Sequence, residues 1–230
     1  MGLKKEKNAC WRDRKLTVKG RGKSMGLLNL LMKDPLAFAL VSIPLLFSVI
    51  LHEVAHGWVA YKMGDPTAKW LGRLSLNPLK HLDPIGTLML FLVGFGWAKP
   101  VPVNFRQIRD LRKGLILVSS AGIITNILLA FFALLFLRTF STSASGIAIP
   151  IYYVVQINIT LAALNLIPIP PLDGSKIFMG IAPLETQRFL ARLEPYGFFI
   201  IIGLLYLGIL DPLIGFFRWI IVTLIGILLP

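Results

Sequence analysis

Between Pro35 and Leu51 the chain carries no charged residue, and the first ionisable groups to follow are His52 and Glu53. A helix built on such a run is apolar all round, so it belongs in lipid or in a large core. Further apolar runs extend from Leu115 to Leu137, Ile147 to Ile167, Pro195 to Leu210 and Leu213 to Leu229. Several of them reach the ~17–25 residues that a membrane span needs. Hydrophobic residues make up 56% of the 230-residue chain and charged ones only 15%, with a mean hydropathy of +0.74. The expected fold is therefore an all-α polytopic membrane protein with about five transmembrane helices.

Local signals mark where the spans begin and end. The first is expected from Asp34 or Pro35 to about Met63, where Gly64-Asp65-Pro66 stops it with Gly at the helix end and Pro just beyond. Residues 65–84 read as a polar loop. Ile85 to Trp97 is apolar but short for a span and contains three glycines, which suits a re-entrant or interfacial segment. Lys99 to Asn104 alternates and is broken by Pro100 and Pro102, so it reads as an extended edge. Residues 175–194 read as a loop carrying Lys176, Arg188 and Arg192. Residues 1–24 form a basic tail without apolar periodicity, expected to be disordered. The tail is either a functional extension or a leader foreign to the native protein, and residues 25–230 form a single membrane domain.

The net charge of +13 does not point to nucleic acid. Ten of the 24 basic residues lie in 1–33 and nearly all the others in loops between apolar runs, where they set membrane orientation. The single Cys10 rules out an intrachain disulfide and a cysteine-rich metal site.

His52-Glu53-Val54-Ala55-His56 is the pattern that carries chemistry. Histidines at i and i+4 share one helix face and can grip one zinc ion, with the glutamate as general base toward a water. Ionisable groups at membrane depth are costly and functional by default. A catalytic zinc site needs a third protein ligand. Asp173 is the leading candidate, following an apolar span directly and held between Pro170-Pro171 and Gly174. His81, beside Asp83-Pro84 in the polar loop, fits a structural or interfacial role better than ligation. The two halves meet only if the first and third spans end on one side, which requires that 85–97 does not cross. Nine Lys/Arg in 62–113 and three in 175–194, against none in 139–147, set the metal side as cytoplasmic. The basic tail conflicts with that orientation, and a start at Met25 removes most of the conflict.

Four ordered blocks then resemble one family: the stretch HEVAHGWVAYKMGDPTAKWLGRLSLNPLKHLDPIGT, and after it GWAKPVPVN, SSAGIITN and NLIPIPPLDG. They are similar to the compact bacterial and archaeal members of the site-2 protease family, intramembrane zinc metalloproteases, from about Asp34 to the C-terminus. The resemblance implies one zinc ion on His52, His56 and Asp173, with Glu53 as catalytic base. It implies that Asn126 stabilises the oxyanion or holds substrate, and matches Asn165 to the asparagine before the Pro-rich turn. The family's re-entrant β-type loop corresponds to 85–104. The implied function is regulated intramembrane proteolysis, hydrolysing peptide bonds of transmembrane protein substrates in the lipid bilayer of a prokaryotic cell. No PDZ or CBS module is present to carry the regulation of larger relatives. A non-proteolytic protein that kept the metal site is the alternative.

Overall fold

The computed structural model describes residues 27–93, 98–140 and 145–229. The basic tail 1–24, residues 94–97 of the short apolar segment and most of the 141–146 loop lie outside the described residues. A first short helix, α1 (Leu27–Lys33), runs up to Asp34, whose carboxylate accepts a hydrogen bond from the Ala37 N–H at 2.9 Å and caps α2 (Pro35–Lys62). Pro35 opens α2 where no N–H is needed. At the other end Met63 is the cap and Gly64 takes a φ of +110°, a conformation open to glycine at little cost.

The second long helix, α4 (Leu111–Thr139), follows a ten-residue helix, α3 (Pro84–Val93). It begins four residues before the expected Leu115, because Asp110 accepts the Lys113 N–H at 3.1 Å and so caps an earlier start. After it come α5 (Ser145–Asn165), α6 (Asp173–Ile181), α7 (Leu184–Leu193), α8 (Gly197–Tyr206) and α9 (Leu210–Leu228). Among the described residues, five stretches are long and apolar enough to cross a membrane: Pro35–Lys62, Leu111–Thr139, Ile147–Asn165, Leu184–Tyr206 and Leu210–Leu228. The fourth is interrupted by a 3-10 turn at Glu194–Tyr196.

Two expectations need correction. Residues 175–194 are not a loop: α6 and α7 occupy them, separated by Ala182 and Pro183. Both are amphipathic; α7 buries Gln187 and Leu190 and leaves Arg188, Phe189 and Arg192 outside. A hydropathy average misses such helices because their polar face cancels the apolar one. The second correction concerns 85–104. Pro84–Val93 is helical, and at ~1.5 Å per residue it reaches about 15 Å, half a hydrocarbon core. Among the described residues no strand forms, and the only ladder contact outside helices is the bridge between Leu82 and Ala98. The prolines at 100 and 102 explain this, since neither donates to a ladder.

The bundle centre is where α4, α5 and α9 meet. Ile123 and Ala130 of α4, Val155, Ile159, Ala162 and Ala163 of α5, and Ile221 and Ile225 of α9 form one buried cluster. The alanines let the backbones approach closely, the usual basis of helix association in lipid. Arg218 of α9 faces protein, donating from Nη2 to Gln156 Oε1 at 2.7 Å and from Nη1 to the Thr160 hydroxyl, both on α5. A second cluster joins Ala60 near the end of α2 to Ile108 and to Val118 near the start of α4. The chain therefore leaves the bundle after α2 and returns to it at α4 from the same end.

Candidate metal centre

The last turns of α2, the first half of α4 and the turn after α5 converge at that end. Both α2 histidines are buried, and each is held through its Nδ1. His56 Nδ1 donates to the Val118 carbonyl at 2.7 Å, and His52 Nδ1 lies 3.2 Å from Asn126 Oδ1. A carbonyl oxygen only accepts, so these bonds place the protons on Nδ1 and leave both Nε2 atoms with lone pairs.

Asp173 comes from the other half of the chain. Asn165 ends α5, and the turn through Pro168 to Leu172 reverses the chain so that Asp173 opens α6. Gly174 makes this possible by its size: a Cβ there would collide with the carbonyl oxygens of Leu166 and Ile167. It sits in a helix, so what matters is the space it leaves.

Asp173 Oδ2 lies 3.0 Å from His52 Nε2 and 3.1 Å from His56 Nε2, and the two Nε2 atoms are 3.0 Å apart. These are three lone-pair atoms facing one another. Asp173 Oδ2 is buried without a hydrogen-bond donor. Such a triangle is repulsive unless a cation sits among its corners. Donors about 2.0–2.2 Å from one tetrahedral ion lie roughly 3.3–3.5 Å apart, close to what is seen. Gly122 of α4 leaves the room, since a Cβ there would come within 2.5–2.6 Å of the His52 and His56 rings. Two imidazoles and one carboxylate are also the donor set of three-ligand catalytic zinc sites. The residues fit the ion.

Beside the triangle, Glu53 Oε2 accepts a hydrogen bond from the Val101 N–H at 2.8 Å. A cavity of about 310 Å³ opens here, walled by His52, Glu53, His56, Asp173 and Lys176 on the polar side. Pro100, Val101, Val103, Phe105, Val118, Ser119, Asn165 and Pro171 complete it. Asn126 is fully buried behind His52 and is not part of the wall. Among the described residues, His52, His56 and Asp173 form the one His/Cys/Asp/Glu group placed to hold a metal. His81 stays apart: it is fully buried, with Nε2 2.7 Å from the Ser75 carbonyl. Sequence reasoning missed Val101, whose contribution is a main-chain N–H, and Lys176, which it placed in a loop.

Comparison with known proteins points to one family. Residues 138–207 match the model of Peptidase family M50. The chain is 40% identical over 185 residues to "Putative zinc metalloprotease YwhC" of Bacillus subtilis, covering 77% of this chain and 83% of that protein. The chain belongs to peptidase family M50. Its M50 segment carries Asn165, Asp173 and Lys176 of the cavity wall. A second M50 relative, "Putative zinc metalloprotease Rip2" of Mycolicibacterium smegmatis, is 35% identical over 179 residues, or 73% of this chain and 67% of the relative. "Zinc metalloprotease MJ0392" of Methanocaldococcus jannaschii is more distant, 26% identical over 151 residues, with 66% and 37% covered. No solved structure matches the chain significantly. Site-2 protease membership and a multi-pass membrane protein, both expected from the sequence, agree with these findings.

Proposed function

We propose that this protein is an intramembrane zinc metalloprotease that hydrolyses peptide bonds of transmembrane proteins, with its active site at the cytoplasmic end of the bundle. The observation that carries the reading is the meeting of His52 Nε2, His56 Nε2 and Asp173 Oδ2 beside Glu53. Zinc held by those three atoms would polarise the scissile carbonyl and acidify a water.

The rest is work for the chain's own groups. Glu53 is tied through Oε2 to the Val101 N–H, which leaves Oε1 to take a proton from the attacking water. The water oxygen bonds to the carbonyl carbon, the C–N bond breaks, and the proton on Glu53 passes to the departing amine. Val118 and Asn126 keep the two imidazoles in the tautomer that offers Nε2. With Oδ1 turned to His52, Asn126 keeps its Nδ2 amide without a partner, so the orienting role stands beside the oxyanion role expected for it. Pro100, Val101 and Val103 form one side of the cavity, where an unwound substrate segment would lie.

Glu53→Gln decides the proposal. The variant is expected to bind zinc one-to-one and to lose cleavage of a model membrane substrate by at least a thousandfold, measured by metal analysis and product quantitation. Full activity in that variant would defeat it.

A further inference from the structure

Apart from the metal-triangle imidazoles, the cavity wall carries a single basic side chain among the described residues, Lys176. It sits three residues after Asp173 on α6, hence on the same helix face and one turn further on. The other charges of the wall have work already. Asp173 belongs to the donor triangle, and Glu53 is bound by the Val101 N–H.

Lys176 has a loose partner. Its Nζ lies 3.6 Å from Glu194 Oε1, beyond hydrogen-bond range, and the two side chains are 29% and 47% exposed. A pair of this kind contributes little and is easily exchanged. Glu194 sits on the 3-10 turn before α8, outside the cavity wall. Lys176 thus stands in the cavity wall, and its ammonium, with three N–H donors, has only this long contact to Glu194. A carboxylate entering the cavity would lose its water and be repelled by Glu53. Away from the metal triangle, Lys176 is the cation of the wall that can offset that cost.

We propose that Lys176 is a specificity-determining residue that takes the carboxylate of an acidic side chain flanking the scissile bond, replacing Glu194. This rests on the peptidase reading of the same site. Selectivity arises because a substrate carboxylate finds a partner here, whereas a neutral isostere leaves the Lys176–Glu194 pair as it was.

The test uses membrane peptides identical except for one Asp or Asn at each position around the scissile bond. Binding is measured on the full-length Glu53→Gln protein, and cleavage on the otherwise unaltered enzyme. At one position the Asp peptide is expected to bind about tenfold tighter, the effect of a charge-assisted hydrogen bond. Lys176→Arg should keep the preference, Lys176→Glu should reverse it, and Glu194→Gln should strengthen it by freeing the ammonium. Equal binding of all Asp and Asn peptides overturns the proposal. So does an equal loss for both peptides in the Lys176 variants, the mark of a purely structural lysine. Selective binding without any cleavage would uphold Lys176 and sink the protease reading instead.

Discussion

Gly122 has no functional atom, yet its missing side chain is what lets two imidazoles stand against α4. Gly122→Ala would place a methyl within 2.5–2.6 Å of both rings and force one aside. Zinc affinity is expected to fall by about 10–100-fold while the protein keeps its helix content, which metal titration and circular dichroism would show. Asn126 acts at the same scale. Asn126→Leu leaves the His52 Nδ1–H buried without an acceptor, and should weaken zinc binding by a similar factor. Asn126→Asp keeps an acceptor and should retain the metal. If Asn126 served only an oxyanion, Asn126→Leu would lose turnover and hold zinc as before, so metal titration separates the roles.

At the level of elements, the 99–104 stretch belongs to neither helix nor sheet, so side chains supply what a ladder would. Asp65 is fully buried; its Oδ2 accepts the Asn104 N–H at 2.6 Å, and its Oδ1 accepts the Thr67 N–H at 3.0 Å and the Thr67 hydroxyl. Arg73 Nη2 donates to the carbonyls of Lys99 and Pro100 at 2.7 and 3.1 Å, and the Lys99 N–H reaches the His81 carbonyl at 2.8 Å. These bonds hold the Val101 N–H against Glu53. Asp65→Ala strands two half-buried N–H groups, each at no more than about 1–3 kcal/mol. It should lower the melting temperature in detergent and expose 99–104 to limited proteolysis, with activity falling alongside. Asp110 offers a pH readout at the start of α4. The Lys113 N–H holds its exposed carboxyl below the usual aspartate range, assisted by the nearby ammonium. A depressed folded-state value means that the cap is fully formed above the ordinary aspartate range and is lost as pH falls through the depressed one. Asp110→Asn should therefore flatten the acid side of a thermal-stability profile and leave neutral pH nearly unchanged.

For the whole molecule the question is which side faces the cytoplasm. The ends of α2 and α5 and the start of α4 share the metal end, so Thr139 at the far end of α4 belongs to the opposite face. With Cys10 replaced, a cysteine at Lys69 should react with an impermeant thiol reagent only from the cytoplasmic side. One at Thr139 should react only from the other. Labelling of both from one side would defeat the topology, and a clean reversal would defeat the charge-based orientation alone.

Much was legible in the chain because two of its signals are local. Lipid demands internally bonded helices, so uncharged runs such as Pro35 to Leu51 declare themselves, and Asp34 and Gly64 mark where the first one starts and stops. His52, Glu53 and His56 announce their chemistry by helical spacing, and Asp173 follows from the need for a third donor. What stayed hidden depends on which surfaces meet. The amphipathic α6 and α7 averaged to nothing in a hydropathy reading, and no residue pattern shows that 84–93 is a helix rather than a β-type loop. Nor could the chain reveal that Asn126 turns its oxygen to His52, that a backbone N–H at Val101 anchors the base, or that Lys176 stands in the cavity wall. Spacing along one helix decides which side chains share a face; packing between helices, summed over many weak contacts far apart in the chain, decides what that face meets.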